Sequence, residues 1–156
     1  MRIVGIDPGL SGAFALLVGD RLEEVRDMPT ITVRGRGQIT AAGVVDAIVA
    51  LNPDHVVIEQ VGVMPRQGIA SGFNFGYGAG ILEGVVAALS RPLTMVRPNR
   101  WKQEAAVPTD KNAARQMASR LWPDQSHLFA RVRDDGRAEA ALLAKWFFVR
   151  DRKLWG

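Results

Sequence analysis

The stretch RIVGIDPGLSGAFALLVG, residues 2–19, decides how this chain folds. Arg2 to Ile6 alternates and is rich in β-branched residues, the pattern of a strand. Asp7 then interrupts with a carboxylate, and Pro8-Gly9 stops the ladder because proline has no amide proton to donate. Ser11 and Gly12 complete a turn, and Ala13 to Val18 is a second apolar run. The two runs predict a hairpin with one acid at the tip of its first, central strand. A charge there is costly to bury unless a cationic side chain or a metal ion neutralises it. A plain turn aspartate is the simpler account, and other acids arriving at the same place would favour a site.

Around this hairpin the 156 residues predict one domain, 1–156, large enough to bury a core without staples. The 47% hydrophobic and 23% charged composition is that of a globular protein and argues against disorder. No apolar run approaches the roughly 20 residues of a membrane helix, and the first residues lack a signal-peptide pattern. The absence of cysteine removes disulfides and thiolate metal sites, which suits a cytoplasmic protein. Zinc is disfavoured too, because His55 and His127 are the only histidines. The net charge of +4 is unevenly spread. Residues 1–90 hold 6 basic and 9 acidic side chains, whereas residues 91–156 hold 14 and 7. A polyanionic partner attracted by the C-terminal half is the natural inference.

Arg21 to Met28 reads as a third antiparallel strand. Pro29 to Gly37 reads as a basic, glycine-containing loop, either a mobile arm near nucleic acid or an ordinary surface loop. Thr40 to Leu51 has the period of an amphipathic helix, stopped by Asn52-Pro53. Asp54 to Gln60 is a strand whose unbroken Val56-Val57-Ile58 run predicts cover on both faces, and it ends in Glu59. A loop from Gly62 to Gly72 leads to a helix over Phe73–Leu89, in which Phe73, Phe75 and Tyr77 are expected in the core. Gly72, Gly76, Gly80 and Gly84 recur every four residues along one ridge. Each costs a helix about 1 kcal/mol relative to alanine, so the ridge predicts close backbone packing, within the molecule or across a homodimer. Leu93 to Arg97 is a short strand. Lys102 follows Trp101 (expected in the core) on a short helical turn before Pro108. Thr109 or Asp110 caps a helix to Leu121 or Trp122 that carries Lys111, Arg115 and Arg120. The final helix spans DDGRAEAALLAKWFFVRD, with Ala138, Leu142 and Phe148 facing inward.

Three groups of acids stand out: Asp7, Glu59, and the set Asp134, Asp135 and Glu139. Asp135 and Glu139 are four apart and share one helical face. Clustered carboxylates repel and take up protons unless cations intervene. Oxygen ligands without sulfur or imidazole point to Mg²⁺, with Mn²⁺ able to substitute. Two such ions about 4 Å apart are the usual device for phosphodiester hydrolysis.

The order of elements, with Gly5-Ile6-Asp7-Pro8-Gly9, Ile58-Glu59-Gln60 and Asp135-Gly136-Arg137-Ala138-Glu139-Ala140, resembles the RuvC-type Holliday-junction resolvases of the ribonuclease H-like superfamily. The last motif looks more like phage or prophage members. The resemblance covers nearly the whole chain and implies an α/β, ribonuclease H-like fold. Its central sheet would be mixed and five-stranded, three antiparallel N-terminal strands plus two parallel ones, flanked by helices. It also implies metal ligation by Asp7, Glu59, Glu139 and Asp135, with Asp134 the rival for the fourth place. Lys102 and Lys111 would stabilise charge at the scissile phosphate. Arg66, Gln67, Arg100, Lys102, Lys111, Arg115 and Arg137 are the DNA contacts to expect. The sequence departs from the family's pattern where its members place the last two acids three apart, since Gly136 stands there, and where they carry an aromatic wedge, since Gly62 stands there. Arg66 or Phe73 would have to replace that wedge, or it is absent.

The implied activity is paired, symmetric nicking of four-way DNA junctions by a magnesium-dependent homodimer, leaving 5′-phosphate and 3′-hydroxyl ends. Rival readings are a flap, branched-DNA or RNA–DNA hybrid nuclease of the same superfamily, and a junction-binding protein without activity. An actin- or sugar-kinase-like ATPase would need two such domains and about twice the length.

Overall fold

The computed structural model describes residues 1–60, 62 and 68–155, the side chains of 153–155 excepted. Its centre is a five-stranded sheet in the order β3-β2-β1-β6-β7. Strands β1 (Arg2–Asp7), β2 (Ala13–Val18) and β3 (Arg21–Asp27) form an antiparallel meander. Strands β6 (His55–Glu59) and β7 (Leu93–Val96) add to β1 in parallel. The predicted mixed sheet is the one observed.

Alternation along the strands sorts the core into two layers. Val4, Ile6, Phe14, Leu16, Val56 and Ile58 face α1 (Ala41–Leu51) and α2 (Ile69–Ala88), meeting Val44, Ile48, Leu82 and Val86. Ile3, Ala13, Ala15, Leu17 and Val57 face α3 (Pro98–Glu104), α4 (Lys111–Leu121) and α5 (Asp135–Trp155). Short 3-10 segments, Pro123–Phe129 and Val132–Asp134, join α4 to α5. Asp110 is the cap of α4, its carboxylate accepting from the Ala113 amide at 2.8 Å. Ala138 and Leu142 are buried as expected, and Phe148 is partly buried. Among the described residues no helix is long and apolar enough to cross a membrane.

Two expectations are overturned. The segment read as a loop from Pro29 to Gly37 is a β-hairpin, β4 (Thr30–Val33) with β5 (Arg36–Ile39). Thr30-Ile31-Thr32-Val33 is β-branched throughout, and Arg34 and Gly35 take the positive φ values, 50° and 76°, that a tight hairpin turn needs. The aromatic start of α2 is also not core. The helix begins at Ile69, and Phe73 and Tyr77 are 75% and 46% exposed, with stacked rings. The glycine ridge shares this outward side. A Cβ built on Gly76, Gly80 or Gly84 would have nothing within 4 Å, so packing within the molecule does not explain them. The helical glycine that packs is Gly78, where a Cβ would stand 2.8 Å from Ile39.

Candidate metal centre

Asp7 closes β1 and Glu59 closes β6. Ile6 lies opposite Ile58 in the parallel register, so the two acids emerge side by side. They continue the alternation of Gly5 and Val57, which points both toward α5. Gly5 sets how near that helix comes. A Cβ there would lie 2.8 Å from the Ala144 nitrogen and collide with the Ala140 carbonyl. This close approach brings Glu139, next to Ala140, over the strand ends. One carboxylate oxygen from each of Asp7, Glu59 and Glu139 lies within 4.8 Å of the other two.

The electrostatics are those of a site short of positive charge. Burial pushes the Asp7 carboxyl up to about 7, helped by the charges of Glu139 and Glu59 and opposed by the Gly9 amide. Burial also raises Glu59, again helped by Glu139, while Lys102 and the Trp101 side chain oppose the rise. Lys102 reaches in from α3 and pairs with Glu139 at 2.8 Å. Lys111 begins α4, where a cation opposes the helix dipole, and is held by an ion pair with Asp135 that raises its pKa. Four acids, counting Asp135, thus face two ammonium groups. The donor set is all oxygen, in which a divalent cation of the Mg²⁺ class fits.

No family model and no curated protein matches the sequence. Solved structures do. The chain superposes on Thermus thermophilus RuvC with a TM-score of 0.67 at 19% identity, covering 98% of this chain and 97% of that one. T. thermophilus RuvC in complex with a Holliday-junction substrate gives 0.68 at 18%, covering 97% and 96%. The yeast mitochondrial Holliday-junction resolvase Ydc2 gives 0.66 at 15%, covering 99% of this chain and 80% of that one. The chain has the RuvC fold.

On this RuvC fold the first turn of α5 separates the expected acids by role. Asp134 is 1% exposed and is taken up by Arg131, whose guanidinium and amide reach it at 2.7–3.1 Å. It is therefore an internal ion-pair partner. Asp135 stands one turn before Glu139 beside Lys111, but is not part of the three-carboxylate convergence. Gly136 between them has no room for a side chain, because a Cβ would lie 2.5 Å from the Ser11 carbonyl oxygen and 2.9 Å from Asp7 Oδ2. An acid three before Glu139 is thus barred by the loop that follows β1.

Several of the basic side chains expected at DNA have internal partners. Arg137 forks onto Asp27 at 2.6 and 2.7 Å. Arg115 donates to the carbonyls of Phe129 and Ala130 and to Asn112. Arg100 pairs with Glu104 at 2.9 Å on an exposed face. Arg66 and Gln67 lie outside the described residues.

Trp101 is core as expected, and its position beside Lys102 and Glu59 also puts it against the carboxylate cluster. It is fully buried, with Lys102 Nζ 5.5 Å from its ring centre. The indoles of Trp122 and Trp146 donate to the Asp20 carbonyl and to Glu104. The Trp101 N–H beside Glu59 has no partner at ordinary hydrogen-bond geometry. Its adjacency to Lys102 was the available signal.

Proposed function

We propose that this protein is a divalent-metal-dependent endonuclease that resolves four-way DNA junctions. The observation that carries the reading is the convergence of Asp7, Glu59 and Glu139 at one edge of a RuvC-fold sheet, with Asp7 pushed up to about 7. Four acids against two ammonium groups leave a surplus equal to the charge of one divalent cation. A bound phosphodiester adds the negative charge that calls for a second.

In this reading Asp7, Glu59 and Glu139 hold Mg²⁺, or Mn²⁺ in its place, and Asp135 completes the set. Bound ions of this kind activate a water and offset charge on the leaving oxygen. The chain's own residues do the rest. Lys102 and Lys111, paired with Glu139 and Asp135, stand ready to turn toward phosphate oxygens and stabilise the charge that develops there. The exposed Arg100 adds a backbone contact. Trp101 excludes water behind Glu59.

Paired nicks require two copies. We place the dimer contact on α2, where the open glycine ridge and exposed Ile69, Phe73 and Tyr77 form an uncovered apolar face. Gly80→Leu should turn a dimer into a monomer in light scattering.

The deciding experiment incubates wild type, Asp7→Asn and Glu139→Gln with a four-way junction, a Y-shaped flap and an RNA–DNA hybrid, with and without Mg²⁺. Paired junction nicks bearing 5′-phosphates, at least about 1,000-fold slower in both variants, are expected. Equal cutting of the hybrid would overturn the choice of substrate. Junction binding with no nicking in Mg²⁺ or Mn²⁺ would make it a binding protein.

A further inference from the structure

We propose that the β4–β5 hairpin is a separate DNA-backbone contact, with Arg34 and Arg36 gripping phosphates of a duplex arm that leaves the carboxylate cleft. The inference deepens the nuclease reading and rests on it for the nature of the partner.

Topology places the hairpin at the correct edge. Asp7 lies opposite Ala13, and Ala13 opposite Asp27, so the end of β3 is on the edge that carries the acids. The hairpin leaves from there and is tied down rather than loose. The Thr40 amide donates to the Pro29 carbonyl at 3.1 Å, and Asn74 of α2 donates to the Gly37 carbonyl at 3.1 Å. Ile39 is buried against Gly78. Gly37 sits on Leu10, in the loop that follows Asp7, where a Cβ would be 3.6 Å from the leucine methyl. The base and return strand of the hairpin are thus held against α2 and the loop that follows Asp7.

Its chemistry is that of an anion site. From Met28 to Val45 the chain has two arginines and no acid. Arg131, Arg137 and Arg100 each have a carboxylate partner, whereas among the described residues no salt bridge involves Arg34 or Arg36. Arg34 keeps its charge at a φ of 50°, a conformation that asparagine or glycine would adopt more easily. Between the hairpin and α2 is a hollow of about 360 Å³ lined by Val33, Arg34, Arg36, Gly37, Gln38 and Asn74. Two guanidinium groups and two side-chain amides with no carboxylate make a lining rich in donors, suited to phosphate oxygens. Gly37, which lines the hollow, sits beside Leu10 of the loop that follows Asp7, so the hairpin is on the side of the sheet from which a DNA arm would leave the cleft.

The test uses Arg34→Asn/Arg36→Gln, which removes both charges but leaves a residue tolerant of positive φ at the turn. Junction binding is measured in an Asp7→Asn background across a salt series, with thermal melts as the folding control. The slope of log K against log salt should fall by about 1.8 per protomer, and affinity near 100 mM salt by roughly ten-fold. Arg34→Lys/Arg36→Lys should keep the slope, and so should Arg21→Gln at the opposite end of β3. An unchanged slope in Arg34→Asn/Arg36→Gln, or an equal loss in Arg21→Gln, overturns the proposal. So does an unchanged slope with weakened dimerisation, which would make the hairpin a subunit contact. If the wild-type chain binds junctions without nicking them, the nuclease reading falls while the slope comparison still decides the hairpin. If it binds no DNA, both fall.

Discussion

Two groups of acids flank Gly136 at the start of α5, and they solve the same electrostatic problem in opposite ways. On one side Asp134 is buried with Arg131 wrapped around it, Arg137 is 3.8 Å away, and Arg137 in turn holds Asp27. Burial alone would raise the Asp134 carboxyl, but the Arg131 hydrogen bonds and the charges of Arg131 and Arg137 hold it below the usual range. On the other side Asp7, Glu59 and Glu139 crowd together with lysine partners that do not balance them, and Asp7 is driven up to about 7. Adjacent positions in sequence, 134 and 135, thus take different partners, Arg131 and Lys111. A cluster built for the fold is neutralised by its own chain. The other keeps an unsatisfied charge.

The largest consequence is a difference in the sign of the pH response. Asp7 is raised in the folded protein above its usual 3.8, so the folded state binds the extra proton between these values. Its contribution is present at low pH and is lost as pH rises through about 7. In EDTA the wild-type protein should therefore lose stability between pH 5 and 8, by at most about 4 kcal/mol from this group. Asp7→Asn should flatten that slope and melt higher than wild type at pH 8. Millimolar Mg²⁺ should stabilise wild type more at pH 8 than at pH 6 and leave the variant little changed. Asp134, lowered instead, supplies stability at neutral pH that fades as acid protonates it. Melting curves across pH read both signs, and a flat wild-type profile in EDTA would mean the cluster is not frustrated.

Next in size is the cost of breaking the balanced cluster. Asp134→Ala leaves the half-exposed Arg131 guanidinium without its carboxylate partner, whereas Arg137 keeps Asp27. Losing these charge-assisted hydrogen bonds costs about 2 kcal/mol, a drop in melting temperature of roughly 6 °C for a chain of this length. Nicking below the melting range should survive, because Asp134 is paired with Arg131 and is not among the converging carboxylates. A variant that melts normally but has lost Mg²⁺-dependent nicking would move Asp134 into the metal set in place of Asp135.

Much of this is legible in the sequence. The alternation of Arg2–Ile6 and the unbroken Val56-Val57-Ile58 run were enough to put Asp7 and Glu59 at strand ends, and strand parity then puts them on one face. What could not be read depended on partners distant in sequence. The choice between Asp134 and Asp135 turns on Arg131 and Lys111, which the fold assigns to different acids. The glycine at 136 looked like an interruption of the acid motif, and only the loop after β1 shows why a side chain is barred there. The hairpin was hidden because arginine and glycine weigh toward a loop, even though the turn needs them. For Phe73 and Tyr77, hydrophobicity says nothing about which face of a helix lacks a neighbour, and here they lie on the exposed one.

The smallest expected effect tests whether Trp101 belongs with the unbalanced cluster or only with the core. Its ring packs in the layer beneath α5, and its N–H lies beside Glu59 without a normal acceptor. A donor in that position can orient Glu59 only if the carboxylate turns toward it when cations arrive. Trp101→Phe keeps the ring and removes the donor, so a purely structural residue would lose about 1 kcal/mol of stability and nothing else. A residue that orients a metal ligand would, in addition, raise the Mg²⁺ concentration for half-maximal nicking about ten-fold, with the rate recovering at saturating Mg²⁺. Because Trp101 is buried against the site, its fluorescence should also respond to Mg²⁺ in the wild type, and that response should vanish in Trp101→Phe. A Mg²⁺ titration identical to wild type would return Trp101 to the core alone.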